Sequence, residues 1–335
     1  VNHALSYFAD FSTGNPILLA FKALFSRSPG TYLLEPYKKR VAEYNDNQSR
    51  SIWEYELELT QDQIDSLVLH IWEMKAISPK YNFIYHNCGS ALIYLLFTAN
   101  SGITSLKASS TDAPIDIIKS LYNNGHIKKI NLLPADNYRL KMMSEGLSYP
   151  DKSYINRIIN SGDIPQNTIL SEQKKANLLY IADSVISYKF SKEDITQESY
   201  DKAYNSIQKD LRKLPPKNLT YIIKDPLQKS RSSQLLFNYK NQENDNIFGL
   251  EFYPVYNGLH NNNAGYFNDF ELRLANIDAL YYVDQNKFRV NKFDLIKVKN
   301  IIPNDILTGG LSGALNISIE KEDFAYDPKK MFFDC

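Results

Sequence analysis

The sequence has little cysteine, no excess of charge of either sign and no long apolar run. Only Cys88 and Cys335 are cysteines among 335 residues, and neither lies in a CxxC pair or a close His/Cys cluster. This excludes a framework of several disulfides and gives no indication of a metal ion or other cofactor. Lysine plus arginine equals aspartate plus glutamate, at 38 each, so the basic face of a general nucleic-acid binder is not expected. No run of about 18 apolar residues occurs, so no segment is expected to cross a membrane as a helix.

Three regions with different hydrophobic patterns follow one another along the chain. Residues 1–105 mix strand and helix patterns, residues 106–225 are mostly helical, and residues 226–335 change to short strands separated by turns. Hydrophobic residues make up 43% of the sequence, which is enough for a sizeable core. We therefore expect an α+β protein with a mixed N-terminal domain, a helical middle region and a β-rich C-terminal region.

The segment from residue 51 to residue 59 has the alternating pattern of a half-buried strand. Its apolar positions are predicted to face the core: Trp53, Tyr55, Leu57 and Leu59. The glutamates between them are predicted to face solvent: Glu54, Glu56 and Glu58. Thr60 and Gln63 then have the spacing of a capping box and predict a helix. The apolar stripe of that helix is predicted to face the core: Ile64, Leu67, Val68 and Ile71.

Cys88 has the position best suited to covalent chemistry. Because Asn87 is a good N-cap, Cys88 is predicted to lie in the first turn of a helix that follows an extended segment. A helix start is expected to lower the pKa of the thiol, and its N–H groups suit the oxyanion of a tetrahedral intermediate. Gly89 is expected to leave room for a substrate. The alternatives are a small buried cysteine without chemistry, or a disulfide between Cys88 and Cys335.

A thiol nucleophile also needs a base, normally a histidine. His3 lies on the first predicted strand, and a histidine on a strand facing a cysteine on a helix makes a workable dyad. The remaining histidines occupy less suitable positions: His70, His86, His126 and His260. We predict that the helix beginning at Cys88 packs on a sheet that contains both His3 and Trp53. We also predict that Cys88 and Cys335 are not bonded to each other.

The stretch from about residue 15 to residue 100 resembles a known bacterial family. Several segments carry the resemblance in their order and spacing: residues 15–25, 28–32, 36–37, 41–44, 49–55, 69–73 and 81–88. The last of these ends in His86-Asn87-Cys88. The family is the one named for the periplasmic N-terminal domain of the lipoprotein N-acyltransferase Lnb. It resembles the permuted papain-like proteins, which include NlpC-type peptidases and lecithin:retinol acyltransferase.

This resemblance implies a periplasmic thiol enzyme with a permuted papain-like α/β domain and Cys88 as its nucleophile. It also implies a phospholipid as acyl donor and the N-terminal amine of a lipoprotein as acceptor, at the membrane surface. The histidine of the family lies on an earlier strand, so the resemblance implies a base upstream of Val1, with His3 on the second strand. At the position of His86 the family usually has glutamate.

Two other features allow a functional and a structural interpretation. Arg50 is a candidate for binding a lipid phosphate, and the alternative is a surface ion pair with Glu43 or Asp46. Residues 16–25 are apolar except for Lys22, which is consistent with either a membrane interface or a buried helix.

Three functions are consistent with these patterns. The first is a thiol-dependent acyltransferase that acts on lipid or lipoprotein through a Cys88 thioester. The second is a cysteine peptidase or amidase that acts on cell-wall peptides. The third is a non-enzymatic, outer-membrane-associated scaffold in which Cys88 is buried. An apolar rim around the cysteine favours the first, and an open polar groove favours the second.

Overall fold

The computed structural model describes most of the chain: residues 2–9, 18, 21–22, 28–74, 77–83, 86–100, 102–103, 113–165, 169–219, 225–242, 245–262, 269–302, 304–321 and 331–334. The fold is α+β, as the sequence predicts. The helices in these ranges are α1 (Tyr37–Val41), α2 (Gln61–Met74), α3 (Cys88–Ala99), α4 (Pro114–Asn123), α5 (Asp136–Glu145), α6 (Tyr149–Ser161), α7 (Glu172–Ser191) and α8 (Gln197–Leu211). The strands are β1 (His3–Ala9), β2 (Ser28–Pro36), β3 (Ile52–Leu57), β4 (Lys80–Tyr81), β5 (Ile127–Leu133), β6 (Gln234–Gln242), β7 (Asp245–Tyr253), β8 (Val255–Asn257), β9 (Asp269–Tyr282), β10 (Lys287–Ile301), β11 (Gly313–Lys321) and β12 (Met331–Asp334).

The strands of the N-terminal part form two separate antiparallel sheets. One has the order β1-β2-β4, and the other consists of β3 and β5. The prediction that His3 and Trp53 share one sheet is therefore wrong, because His3 lies on β1 and Trp53 on β3. Alternation within a strand determines which side chains share a face, but it does not identify the strand that pairs with it.

The predicted alternation within residues 51–59 is largely confirmed. The apolar side chains are all partly buried: Trp53, Tyr55, Leu57 and Leu59. Glu56 and Glu58 are exposed. Glu54 is instead partly buried, because the Tyr37 hydroxyl donates a hydrogen bond to its carboxylate.

Helix α2 begins as predicted but exposes much of its apolar stripe. The Thr60 N–H donates to Gln63 Oε1 at 2.9 Å, and the Gln63 N–H donates to Thr60 Oγ1 at 3.3 Å, which confirms the capping box. No side chain of α2, which the structure describes throughout, is fully buried. Ile64 and Val68 are exposed, so their predicted burial is wrong. The contacts of α2 are chiefly with α3, and one packing partner covers only part of a helix surface.

The interior of the N-terminal part forms around α3. Ile93 and Leu96 of α3 pack with Ile117 and Leu121 of α4 in one apolar cluster. Leu57 of β3 and Ile127 of β5 are packed against this cluster. The elements that position Cys88 therefore include α4 and β5, which follow residue 105 in sequence.

The middle of the chain contains the largest apolar core among the described residues. Helices α5 to α8 contribute fully buried side chains such as Ile155, Leu179 and Ile207. Leu307, from the turn between β10 and β11, is also fully buried in this core. Asp305, in the same turn, pairs with Lys152 of α6 and accepts a hydrogen bond from Ser144 Oγ at 2.9 Å. The turn is thus fixed to the helices by apolar and charged contacts.

The C-terminal part is an antiparallel sheet with the order β12-β11-β10-β9-β7-β6, and β8 pairs with β9 outside this path. Strands β9 and β10 are paired over nearly their full length, from Lys287↔Tyr282 to Ile301↔Asp269. The register shifts between Val290 and Lys292, which marks a bulge.

Candidate active site

Cys88 is the first residue of α3, as the sequence predicts, and the preceding residue fixes this helix start. The side-chain Oδ1 of Asn87 accepts hydrogen bonds from the Gly89 N–H at 2.8 Å and the Ser90 N–H at 3.1 Å. Its Nδ2 donates to the Phe83 carbonyl at 3.2 Å, and the whole residue is buried. The cap therefore holds the first turn of α3 against the extended segment before it. Cys88 itself is exposed and is a free thiol.

The surroundings of Cys88 raise the pKa of its thiol, which is the opposite of the shift expected from its place at a helix start. Desolvation by neighbouring protein atoms is the largest cause. Hydrogen bonds from the backbone N–H groups of Gly89 and Cys88 lower the pKa, but by less. The thiol is therefore mainly protonated at neutral pH in this environment, and attack on a carbonyl requires a base.

Gly89 serves a packing role that the sequence did not indicate. A Cβ atom at this position would lie 2.7 Å from Ile117 Cδ1 and 3.0 Å from Pro114 Cα. The expectation that Gly89 leaves room for a substrate is therefore incomplete, because the first turn of α4 occupies the space beside its Cα. The missing side chain allows α4 to pack against the start of α3.

A cavity of about 380 Å³ opens beside Cys88, between α3, α4 and β1. Most of its lining is apolar or aromatic, and the residues are Leu5, Ser6, Tyr7, Tyr32, Tyr44, Cys88, Gly89, Ala91, Leu92, Leu95, Pro114 and Ile118. Helix α3 thus faces β1 across the cavity. The predicted packing of the Cys88 helix against the first strand is confirmed, although β3 lies in another sheet.

Three tyrosines form a cluster beside the cavity. The ring of Tyr7 stacks on Tyr32 with centroids 4.6 Å apart, and its centroid lies 5.4 Å from that of Tyr81. Tyr81 is buried, and its pKa is raised to about 12 by burial, by the charge of Cys88 and by that of Tyr7. Its hydroxyl therefore remains protonated and lies within electrostatic reach of the thiol. The sequence analysis did not identify Tyr81. The only indication in the sequence was that Tyr81 belongs to the aromatic segment before Cys88.

Two family matches cover the two ends of the chain. Residues 1–124 match the Lnb N-terminal periplasmic domain. This part of the chain belongs to that family. The match confirms the resemblance seen in the sequence, and it means that the protein is periplasmic. Residues 224–334 match a domain of unknown function (DUF7840). No curated protein and no solved structure matches the chain.

Cys88 and its cavity lie wholly within the Lnb N-terminal domain.

Among the residues that the structure describes, no helix has both the length and the apolar character needed to cross a bilayer. Within the same ranges, no group of three or more His, Cys, Asp or Glu side chains is placed to hold a metal ion.

His3 lies on the strand that lines the cavity but not in the lining itself. It is exposed at the beginning of β1, opposite Pro36, and the lining residues of this strand are Leu5, Ser6 and Tyr7. His3 and Leu5 share one face of β1, because side chains alternate along a strand. Among the described residues of the Lnb N-terminal domain that line the cavity, none is a histidine.

The other candidate residues lie at the surface or outside the described residues. The Arg50 N–H donates to the Tyr44 carbonyl at 2.7 Å, so Arg50 is next to a cavity-lining residue, and it is exposed. Glu43 pairs with Arg40 at 2.8 Å. Most of the segment 16–25 and Cys335 lie outside the described residues.

Proposed function

We propose that the protein is a periplasmic thiol-dependent acyltransferase that forms an acyl thioester on Cys88. One observation carries this proposal: an exposed cysteine at a capped helix start opens onto a cavity lined mainly by apolar and aromatic side chains. Such a lining suits an acyl chain, whereas a site for peptides of the cell wall would need polar groups to pair with amides. This is the reason for preferring the acyltransferase to the peptidase.

The chemistry divides into two steps. In the first, a base takes the thiol proton, and the thiolate attacks the carbonyl carbon of a lipid ester. The tetrahedral intermediate then expels the alcohol, which takes up a proton and leaves as the deacylated lipid. In the second, an amine attacks the thioester and forms an amide, and the Cys88 thiol is restored.

Two groups near Cys88 and one histidine on β1 are assigned to these steps. The N–H groups of Cys88 and Gly89 lower the pKa of the thiol and so favour its negatively charged form. Tyr81 is a positioning residue whose protonated hydroxyl favours the thiolate. His3 is the candidate in this chain for the base or for a group that orients it, since it lies on the face of β1 that also bears Leu5 and Tyr7.

Arg50 has a role in substrate binding in this proposal. Its backbone adjoins Tyr44, whose side chain lines the cavity, and its guanidinium group is on the exposed side. A guanidinium group binds phosphate oxygens in a bidentate manner. We assign Arg50 to the phosphate of a phospholipid headgroup whose acyl chain enters the cavity, which brings the domain to the membrane surface.

An acyl-transfer assay distinguishes the proposed reaction from peptide hydrolysis. The full-length protein is incubated with phospholipid vesicles and a lipopeptide that has a free N-terminal amine, and in parallel with muropeptides. We expect N-acylated lipopeptide and intact muropeptides, and no transfer by Cys88→Ser. Cleaved muropeptides without acylated lipopeptide would replace this proposal by the peptidase.

A non-enzymatic scaffold is the second candidate, and one pair of observations favours it. The pKa of Cys88 is raised, and no histidine is among the described residues of the cavity lining. A scaffold that binds lipid in this cavity would retain vesicle binding in the Cys88→Ser variant and show no transfer in any form. The acyltransferase, in contrast, loses transfer specifically when the thiol is replaced.

A further inference from the structure

One face of the C-terminal sheet is apolar across several neighbouring strands. Residues that are paired across neighbouring strands point to the same face of the sheet. The pairing of β6, β7, β9 and β10 places the apolar residues of this face in three rows. The first row is Tyr239, Phe248, Tyr281 and Phe288. The second row is Phe237, Leu250, Ala279 and Val290. The third row is Leu235, Phe252, Ile277 and Phe293, continued by Ile319 on β11. We call these residues the apolar sheet face.

Most of the apolar sheet face is exposed. Phe237 is 78% exposed, Phe288 is 66% exposed and Tyr239 is 59% exposed. Only Ala279 is buried among these residues, all of which the structure describes, and Phe293 is partly buried. About a dozen large side chains at roughly half exposure leave on the order of 1,000 Å² of apolar surface in contact with solvent. The largest apolar patch of a typical soluble monomer is about 300–600 Å².

The opposite face of the same strands is richer in polar side chains. One of its rows is Leu236, Glu251, Asp278, Lys292 and Glu320. The Lys292 ammonium group donates to Glu320 Oε2 at 2.6 Å, and a deeper row places the fully buried Asp294 beside Asn276 at 3.2 Å. A sheet with one face in water normally buries its apolar side and exposes its polar side. Here the polarity is reversed.

The first row of the apolar sheet face lies between the apolar centre of this face and the polar turns. It is entirely aromatic and adjoins the turns at the end of the strands. The Tyr239 hydroxyl donates to Asn246 Oδ1 at 2.6 Å, and the Tyr281 hydroxyl donates to Asn286 Oδ1 at 2.8 Å. Each ring is thus apolar toward the sheet centre and polar toward the turns, which is the arrangement of aromatic residues at a membrane–water interface.

We infer that the apolar sheet face is covered by the acyl chains of a lipid bilayer. Protein interfaces combine apolar area with about ten hydrogen bonds, and this face has no hydrogen-bonding side chain beyond the two tyrosines of its first row. Hydrocarbon needs no such partner. From the first to the third row the strands advance about 14 Å, at roughly 3.4 Å per residue. This is close to the depth of one hydrocarbon leaflet, half of about 30 Å.

The inference concerns a different part of the chain from Cys88 and does not depend on catalysis. Its first test is flotation of the 335-residue protein with phosphatidylcholine vesicles in a density gradient. Because the face carries no charge, we expect co-flotation that persists at high salt. Phe237→Asn should weaken binding about tenfold, the effect of losing one large buried side chain. Leu236→Asn is the matched control, since it changes the adjacent, 44% exposed residue on the polar face, and it should bind as the wild type does.

A second measurement identifies the face that contacts lipid without weakening vesicle binding. Tryptophan is introduced as Phe237→Trp or as Leu236→Trp, and fluorescence is recorded with vesicles whose acyl chains are brominated. The native tryptophans, Trp53 and Trp72, lie in the N-terminal part and set the wild-type background. We expect strong additional quenching for Phe237→Trp and none for Leu236→Trp.

Other outcomes would overturn the inference. Equal quenching at positions 236 and 237, or no flotation of the wild-type protein, contradicts a lipid-facing sheet. A dimer in light scattering that Phe237→Asn dissociates, without vesicle binding by the wild type, would assign the face to a second copy of the chain. Cys88→Ser should float as the wild type does, so failure of acyl transfer and failure of lipid binding are separate results.

Discussion

The pKa of the Tyr81 phenol is raised by charge on the Cys88 thiol, and the Tyr81 ring lies beside that of Tyr7, which lines the cavity. After burial, charge on Cys88 is the next largest cause that raises the pKa of Tyr81 to about 12. The phenol therefore stays neutral at neutral pH. A neutral hydroxyl can donate a hydrogen bond to a thiolate, so we predict that Tyr81 affects the reactivity of Cys88.

Removing the Tyr81 hydroxyl should make the thiol harder to ionise. Tyr81→Phe keeps the ring and removes the hydroxyl, so we expect the pKa of Cys88 to rise. The pH profile of iodoacetamide alkylation measures this. Tyr94→Phe, at an exposed position of α3, is the control and should leave the profile unchanged. Identical profiles for Tyr81→Phe and the wild type would show that Tyr81 does not influence the ionisation of Cys88.

Cys88 should behave as a thiol with a raised pKa. With Cys335→Ser, Cys88 is the only cysteine, and its alkylation rate should reach half-maximum at a pH above that of an unperturbed cysteine. The thiolate is the reacting form, so the rate increases with pH through the raised pKa. A half-maximal alkylation rate below pH 8 would show that the helix start lowers the pKa of Cys88 by more than desolvation raises it.

Substitution of Gly89 should destabilise the protein through packing. Gly89→Ala places a methyl group against Ile117 and Pro114, and we expect a loss of about 1–3 kcal/mol in the free energy of unfolding. Gly146→Ala is the control, because a Cβ there meets nothing within 4 Å, and it should change stability by less than about 0.5 kcal/mol. Thermal melting compares the two. Ile117→Val removes the Cδ1 atom and should recover part of the Gly89→Ala loss.

The Asp305–Lys152 pair should stabilise the protein except in acid. Partial burial raises the pKa of Asp305, but Lys152, the Leu307 N–H and the Ser144 hydroxyl together outweigh it and lower the pKa below the ordinary value. The stabilisation is therefore complete above the pKa of an unfolded aspartate, near 4, and is lost as the pH falls through the lower folded value.

Urea unfolding of Asp305→Asn measures this contribution. We expect a loss of about 1–3 kcal/mol at pH 7, and a smaller difference from the wild type below about pH 4. Asp163→Asn removes a far more exposed ion pair with Lys202 and should cost less than about 1 kcal/mol. Equal losses for the two variants would show that the turn at Asp305 is not fixed by this pair.

Local features of the fold were predictable from the sequence. The Asn87 cap at Cys88 and the capping box of Thr60 and Gln63 depend on residues a few positions apart, so their spacing is sufficient. The alternation at 51–59 likewise reports a half-buried strand. The resemblance to the Lnb family also depended on spacing, and the family match confirms it.

Features that depend on distant parts of the chain were not predictable. The partner of β3 is β5, about 75 residues later, and no local pattern encodes that pairing. The raised pKa of Cys88 comes from desolvation by its tertiary surroundings, which a helix-start argument omits. The strand patterns around Phe237 and Phe288 indicate two faces but not which of them is exposed.

Covalent acylation of Cys88 is the measurement that tests the proposed chemistry most directly. The full-length protein is incubated with phosphatidylcholine vesicles, which have no primary amine, in the absence of an amine acceptor and then analysed by intact-mass and peptide mass spectrometry. We predict one added acyl chain on the peptide that contains Cys88, its release by hydroxylamine, and its absence in Cys88→Ser. A wild-type protein that binds the vesicles and carries no acyl group on Cys88 would contradict the account.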